Sequence, residues 1–289
     1  MTADRTVRLR SLGATGARRR LRARDGDPAG GAAGVLARVR ALEVRPRVVG
    51  PHARLGVVWF AVSMLALAAG RLPFAVLMAG CAGLAAVQAA RSWRVRPRPA
   101  VPVSGGAAAA LVLAAAAGPV AVGGTAVVVV GLVVAGAAAA GERRADPVLT
   151  LAIAGTVGLA AASPVLLLHR GAAAVFVLLV FAAVHDASAY VVGTGARNAW
   201  EGPAAGAASI AAVTLGVAAV LVPPFRGASP WVLGGLAIVL APIGPYVGSA
   251  LLGHRGARVP ALRRLDSLLV LAPVWSLVAA VVLESPTRG

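Results

Sequence analysis

Asp186, Glu201 and Asp266 are the side chains with the strongest claim to chemistry. The chain has 289 residues and only ten acidic ones. Asp4, Asp25, Asp27 and Glu43 lie in a basic N-terminal stretch, and Glu284 lies near the C-terminus. Asp186 stands late in an apolar run, within FAAVHDASAYVVG. A carboxylate there costs several kcal/mol unless it is paired or wetted. Glu201 and Asp266 each stand at the start of a later apolar run, and Arg255, Arg258, Arg263 and Arg264 crowd the segment around the second of these. Hard carboxylate oxygens suit Mg2+, which keeps several waters and is often shared with substrate phosphates. The planar guanidinium fork suits phosphate. The expected chemistry is therefore the handling of a phosphate-bearing ligand with Mg2+. The structural alternative is an ion pair or a hydrogen-bonded polar knot between helices.

Other candidates are weaker. His185 adjoins Asp186, but one His–Asp dipeptide is not a metal-hydrolase signature, and a packed histidine is expected. His254 lies in the basic loop and could touch phosphate, although a solvated loop residue is the plainer reading. His52 and His169 flank apolar runs. Ser188 and Ser249 have no His–carboxylate partner nearby in sequence. The Gly193–Gly195 GTG follows no strand and is not a dinucleotide fingerprint. The single cysteine, Cys81, sits in an apolar run and supports neither a disulfide framework nor a zinc site.

These residues must be positioned by helices in a bilayer. Hydrophobic residues make up 59% of the chain and charged ones 13%, where a soluble domain has about a quarter charged. Nine apolar runs follow residue 54: Leu55–Gly70, Leu72–Ala90, Val101–Pro119, Val120–Ala140, Pro147–Leu168, Gly171–Val192, Ala204–Val222, Trp231–Leu252 and Ser267–Leu283. The third and fourth nearly fuse. Backbone groups in lipid must be satisfied within the segment, so these runs are expected to be helices. The fold class is an all-α polytopic membrane bundle of about nine spans. Small-xxx-small matches such as Gly202 and Gly206 carry little weight in so Gly- and Ala-rich a chain.

Charge sets the expected orientation. All 28 basic residues are Arg, and thirteen precede Leu55. Residues 1–54 read as a disordered cytosolic tail, able to touch anionic headgroups. No apolar stretch there could serve as a signal peptide. Aromatics do not interleave the arginines, which argues against nucleic acid. With the tail in the cytoplasm, Arg71, Arg170, Arg226 and Arg288 fall outside and the other 24 inside. The positive-inside rule then places the C-terminus outside. The expected location is a bacterial inner membrane.

Three pieces of the second half resemble a known family. They are DASAYVVG (Asp186–Gly193), NAWEG (Asn198–Gly202) and ALRRLDSLLVLAPVW (Ala261–Trp275). In order and spacing they are similar to the bacterial CDP-diacylglycerol synthases, or phosphatidate cytidylyltransferases, over roughly residues 175–283. Asp186 and Tyr190 match that family's Asp-Ser-Gly-Ala-Tyr, with Ala187 and Ser188 in place of Ser and Gly. Trp200, Glu201 and Gly202 match the end of its Ser-Pro-x-Lys-Thr-x-Glu-Gly, with Asn198 in the Lys position and Ala199 in the Thr position. Leu262, Arg264, Leu265, Asp266 and Ser267 match its closing signature, with Arg263 where its first Asp stands. Its Lys-Asp and His-Gly-Gly segments are absent.

The resemblance implies a membrane enzyme that joins CTP to phosphatidate, giving CDP-diacylglycerol and pyrophosphate. It implies Mg2+ on Asp186 and Asp266, with Glu201 ordering the loop or a metal-bound water. Arg255, Arg258, Arg263, Arg264 and Asn198 would meet phosphates of CTP, phosphatidate or another anionic lipid. A homodimer is a possible assembly. Two alternatives stay open. One is a homologue that has lost catalysis and serves as a lipid-binding or partner subunit. The other is a polytopic transporter with Asp186 as a coupling-ion or proton site.

Overall fold

The computed structural model describes residues 51–94, 98–140, 145–198, 200–220, 223–254 and 256–283. The basic tail before residue 51, Arg255 and Glu284 lie outside the described residues. Helices account for the architecture, and no strand occurs among the described residues. They are α1 Pro51–Ala68, α2 Arg71–Arg91, α3 Val101–Ala117, α4 Pro119–Ala140, α5 Pro147–Leu167, α6 Ala172–Gly193, α7 Glu201–Val220, α8 Ser229–Leu240, α9 Gly244–Ala250, α10 Pro260–Leu265 and α11 Leu268–Val282. Leu168–Arg170 and Ala241–Ile243 are 3-10 turns.

Seven stretches are long and apolar enough to cross a bilayer, and Leu55–Ala68 and Val101–Ala117 are shorter apolar helices. Among the described residues each of the nine apolar runs is thus helical, seven of them at spanning length and two shorter. Two spans are compound. Ser229–Ala250 joins α8 and α9 through a 3-10 turn, and Pro260–Val282 joins α10 and α11. The sequence-based boundary Ser267 was therefore too late for the last span. Pro260 suits the first turn of a helix, where its missing N–H has no intrahelical partner, and the Gln88 side chain accepts from Ala261 N at 3.0 Å. The helix thus begins before the arginines and is interrupted at Asp266–Ser267.

Local sequence explains the other ends. Asp146 caps α5, its carboxylate accepting from Leu149 N at 2.9 Å; a carboxylate at a helix start also meets the positive end of the helix dipole. Gly118, at φ 120°, ends α3 and separates it from α4. That backbone conformation strains any residue with a Cβ, so the near-fused third and fourth runs become two helices.

The bundle core is built from small residues. On α2, Ala75, Ala79, Ala82, Ala86 and Ala89 are buried. Gly105 of α3 approaches Gly83 so closely that an added Cβ would lie 3.1 Å from the Gly83 carbonyl oxygen. Without a hydrophobic force between helices in lipid, such close backbone contact drives association. Trp275 of α11 is fully buried and donates Nε1–H to the Leu233 carbonyl at 3.1 Å, tying α11 to α8. α4 lies at the edge, with Val120, Val127, Leu132 and Val134 exposed.

Candidate functional site

Asp186 is oriented by its neighbours on α6. His185, Ser188 and Ala189 face α7. An added Cβ on Gly206 would lie 2.4 Å from His185 Cδ2, and one on Gly202 would lie 2.9 Å from the Ala189 carbonyl oxygen. Ser188 and Ser209 hydroxyls are 2.6 Å apart, and Ser209 also donates to the Val184 carbonyl at 3.3 Å. Gly202, Gly206 and Ser209 therefore form a real packing seam, contrary to the small weight that composition gave the first two. One residue along a helix turns the side chain by about 100°. Asp186 is thereby carried off the His185 face and remains half-exposed, at 47% of its side chain.

Asp186 meets the break in the last span. Ser267 donates its hydroxyl hydrogen to Asp186 Oδ1, and His185 Nδ1 lies 3.4 Å from the same oxygen. Ser267 immediately precedes α11, so the carboxylate sits at the positive end of that helix. A helix terminus and a hydroxyl donor supply the partner that an acid within an apolar span requires.

Asp266 occupies the break itself and is 6% exposed. Arg263 Nη1 donates to its Oδ2 at 2.8 Å. Arg263 Nη1 and Nη2 also lie 3.4 and 3.5 Å from Ser249 Oγ of α9. Asp266 Oδ1 is buried with no hydrogen-bond partner among the described residues. The break is fitted against two glycines one turn apart on α9. An added Cβ on Gly248 would lie 2.4 Å from Asp266 Oδ1, and one on Gly244 would lie 1.9 Å from the Asp266 carbonyl oxygen. The two interrupted spans thus cross at their interruptions. Neither Gly244, Gly248 nor the linking role of Ser267 was singled out from sequence; a Gly-xxx-Gly spacing opposite an acid-containing break was the available signal.

The other candidate residues are placed elsewhere. Glu201 opens α7 and accepts from Asn198 through both the backbone N–H, at 3.1 Å, and the side-chain amide, at 2.8 Å. The pair fixes the turn into α7 in the manner of a helix-start capping interaction. Among the described residues, no group of three or more His, Cys, Asp or Glu side chains is placed to hold a metal, so Glu201 does not complete a carboxylate triad. Arg258 is exposed in the loop before α10. Arg264 points the other way from Arg263, with its Nη1 3.2 Å from where a Cβ on Gly56 of α1 would stand. His254 is tied to the end of α2, its Nδ1 2.7 Å from the Ser92 carbonyl oxygen.

A Mg2+ shared by Asp186 and Asp266 does not fit this arrangement. One Asp266 oxygen is neutralised by Arg263 and the other is closed in against Gly248. One Asp186 oxygen is already hydrogen-bonded by Ser267. A guanidinium in contact with a carboxylate disfavours a second, divalent cation on it through like-charge repulsion. What the site does offer is a fixed guanidinium, a half-exposed acid and a helix start, brought together from α6, α9 and the α10–α11 junction.

The fold defines a multi-pass membrane helix bundle. No family model, curated protein or solved structure matches the chain.

Proposed function

We propose that the chain is a phosphatidate cytidylyltransferase-type protein of the bacterial inner membrane, binding CTP and an anionic phospholipid where α6 meets the α10–α11 break. The observation that carries this reading is the hydrogen bond from Ser267 to Asp186. It joins two of the stretches that resemble the CDP-diacylglycerol synthases, although they are 81 positions apart. The alternating placement of arginines supports an N-terminus in the cytoplasm and a C-terminus outside. The site then opens towards the compartment that holds CTP.

In the reaction that the resemblance implies, a phosphate oxygen of phosphatidate attacks the α-phosphorus of CTP. The bond from that phosphorus to the bridging oxygen breaks, and pyrophosphate leaves. Both reactants are anions, so the protein's task is charge neutralisation and alignment. Arg263 is the guanidinium at the site, and Arg258 is an exposed cation on the loop that leads to it.

A second reading, a lipid-binding homologue without transferase activity, is favoured by one observation. Asp266, a metal ligand in the resemblance, is committed to Arg263. Purified protein supplied with CTP and phosphatidate, with and without Mg2+, separates the two. CDP-diacylglycerol formation that disappears in Asp186→Asn supports the transferase. Lipid and CTP binding without turnover leaves the second reading, and binding of neither ligand removes both.

A further inference from the structure

Arg263 stands where the resembling family has an aspartate, which reverses the sign of charge beside Asp266. Its guanidinium is held from two sides. Asp266 takes Nη1 at 2.8 Å, and Ser249 Oγ lies 3.4–3.5 Å from both terminal nitrogens. The side chain nevertheless remains 29% exposed. A guanidinium has five N–H donors in a fixed plane. The bond to Asp266 takes one, and the longer Ser249 contacts leave the cation oriented with donors to spare. Its counter-charge is buried, so the cation cannot leave without stranding Asp266. The cation is therefore a permanent part of the site.

A divalent ion at a phosphate site contributes positive charge and orientation. Arg263 contributes both from a covalently attached group, and it occupies the carboxylate such an ion would need. Resting on the reading of the site as one for CTP and an anionic lipid, we infer that Arg263 is the site's built-in cation and that phosphate-bearing ligands bind here without a divalent metal. Ser249 and Asp266 are the positioning residues that aim it.

The test is CTP binding to the full-length protein in nanodiscs of phosphatidylcholine with phosphatidate, measured calorimetrically in EDTA and again in Mg2+. The expected result is the same affinity in both, weakened about 10- to 100-fold by Arg263→Gln, the loss of one charge-assisted phosphate contact. Arg263→Lys should recover part of it. Arg263→Gln leaves Asp266 unpaired and could fail to fold, so Arg263→Gln/Asp266→Asn is measured beside it. The double variant removes both charges and keeps a neutral polar side chain at each position; it should fold and show the same weakening. Binding seen only with Mg2+ would overturn the inference and leave the functional reading standing. Metal-independent binding that the folded double variant retains would also overturn it. No CTP binding under either condition would overturn the functional reading, and the inference with it.

Discussion

Ser267, the residue before α11, donates its hydroxyl hydrogen to Asp186 on α6. This bond fastens the start of the last helix to an acid that stands seven residues before the end of α6, roughly 10 Å along its axis. Ser267→Ala is expected to destabilise the protein by about 1 kcal/mol, below the usual range for a hydrogen bond to a charged group because Asp186 is half-exposed. In a double-mutant cycle, Asp186→Ala should add little once Ser267 is gone. Additive losses in thermal unfolding in detergent would mean that the two side chains act independently.

The Arg263–Asp266 pair should show the asymmetry of buried ion pairs. Asp266→Ala leaves a partly exposed arginine without its carboxylate and should cost about 1–3 kcal/mol, less than for a fully buried pair, whereas replacing both partners by Met and Leu should be near neutral. The ratio of monodisperse to aggregated protein after heating is a sufficient measure. A double replacement as damaging as the single one would argue that the charges themselves hold the break together.

Gly244 and Gly248 should differ from glycines in open surroundings. Gly244→Ala drives a methyl into the Asp266 backbone carbonyl, which cannot swing aside. Gly248→Ala meets a side-chain oxygen that can rotate away only by disturbing the Arg263 bond. Overpacking costs about 1–3 kcal/mol, and Gly244→Ala should be the worse of the two. Gly235→Ala on α8 has nothing within 4 Å to meet and should be tolerated. Equal yields of all three variants after extraction would contradict this fit.

Glu201 should behave as a helix-start residue. Glu201→Gln retains an acceptor for the Asn198 N–H groups and should unfold close to the parent. Glu201→Ala should lose about 1 kcal/mol. A change in Mg2+ dependence of any measured activity on Glu201→Gln would instead return Glu201 to the role of ordering a metal-bound water.

Orientation has its own measurement. With Cys81 replaced by alanine, a cysteine at Arg226 should react with a membrane-impermeant maleimide in intact cells, and one at Arg258 only after permeabilisation. The reverse pattern would invert the proposed topology and place the α6–α11 site on the opposite face.

Much of the framework was legible because lipid leaves the backbone few choices. Uncharged length alone located the nine apolar helical stretches, seven of them long enough to span, and Asp186 drew attention as an acid within an apolar run. The interruptions were not legible. Ala241–Ile243 and Asp266–Ser267 are apolar or short enough to read as continuous run or flank, and each is shaped by a partner far away in sequence. Glu201 was grouped with the two aspartates because all three stand near run ends. Its actual partner, Asn198, is a local one, and local hydrogen bonding to a helix start competes with any distant use of the side chain. The weight given to Gly202 and Gly206 failed for the opposite reason. Glycine is so common in this chain that frequency hides the few positions where backbone must touch His185 and Ala189.

The crossing of the two interrupted spans has a mechanical consequence. The α9 backbone at Gly244 rests directly on the peptide that joins α10 to α11, with no side chain between them to act as a cushion. A tilt of the α8–α9 span would bear first on the Asp266–Ser267 joint. The last two spans and α6 therefore meet at one joint, with backbone against backbone on one side and a single hydroxyl bond on the other.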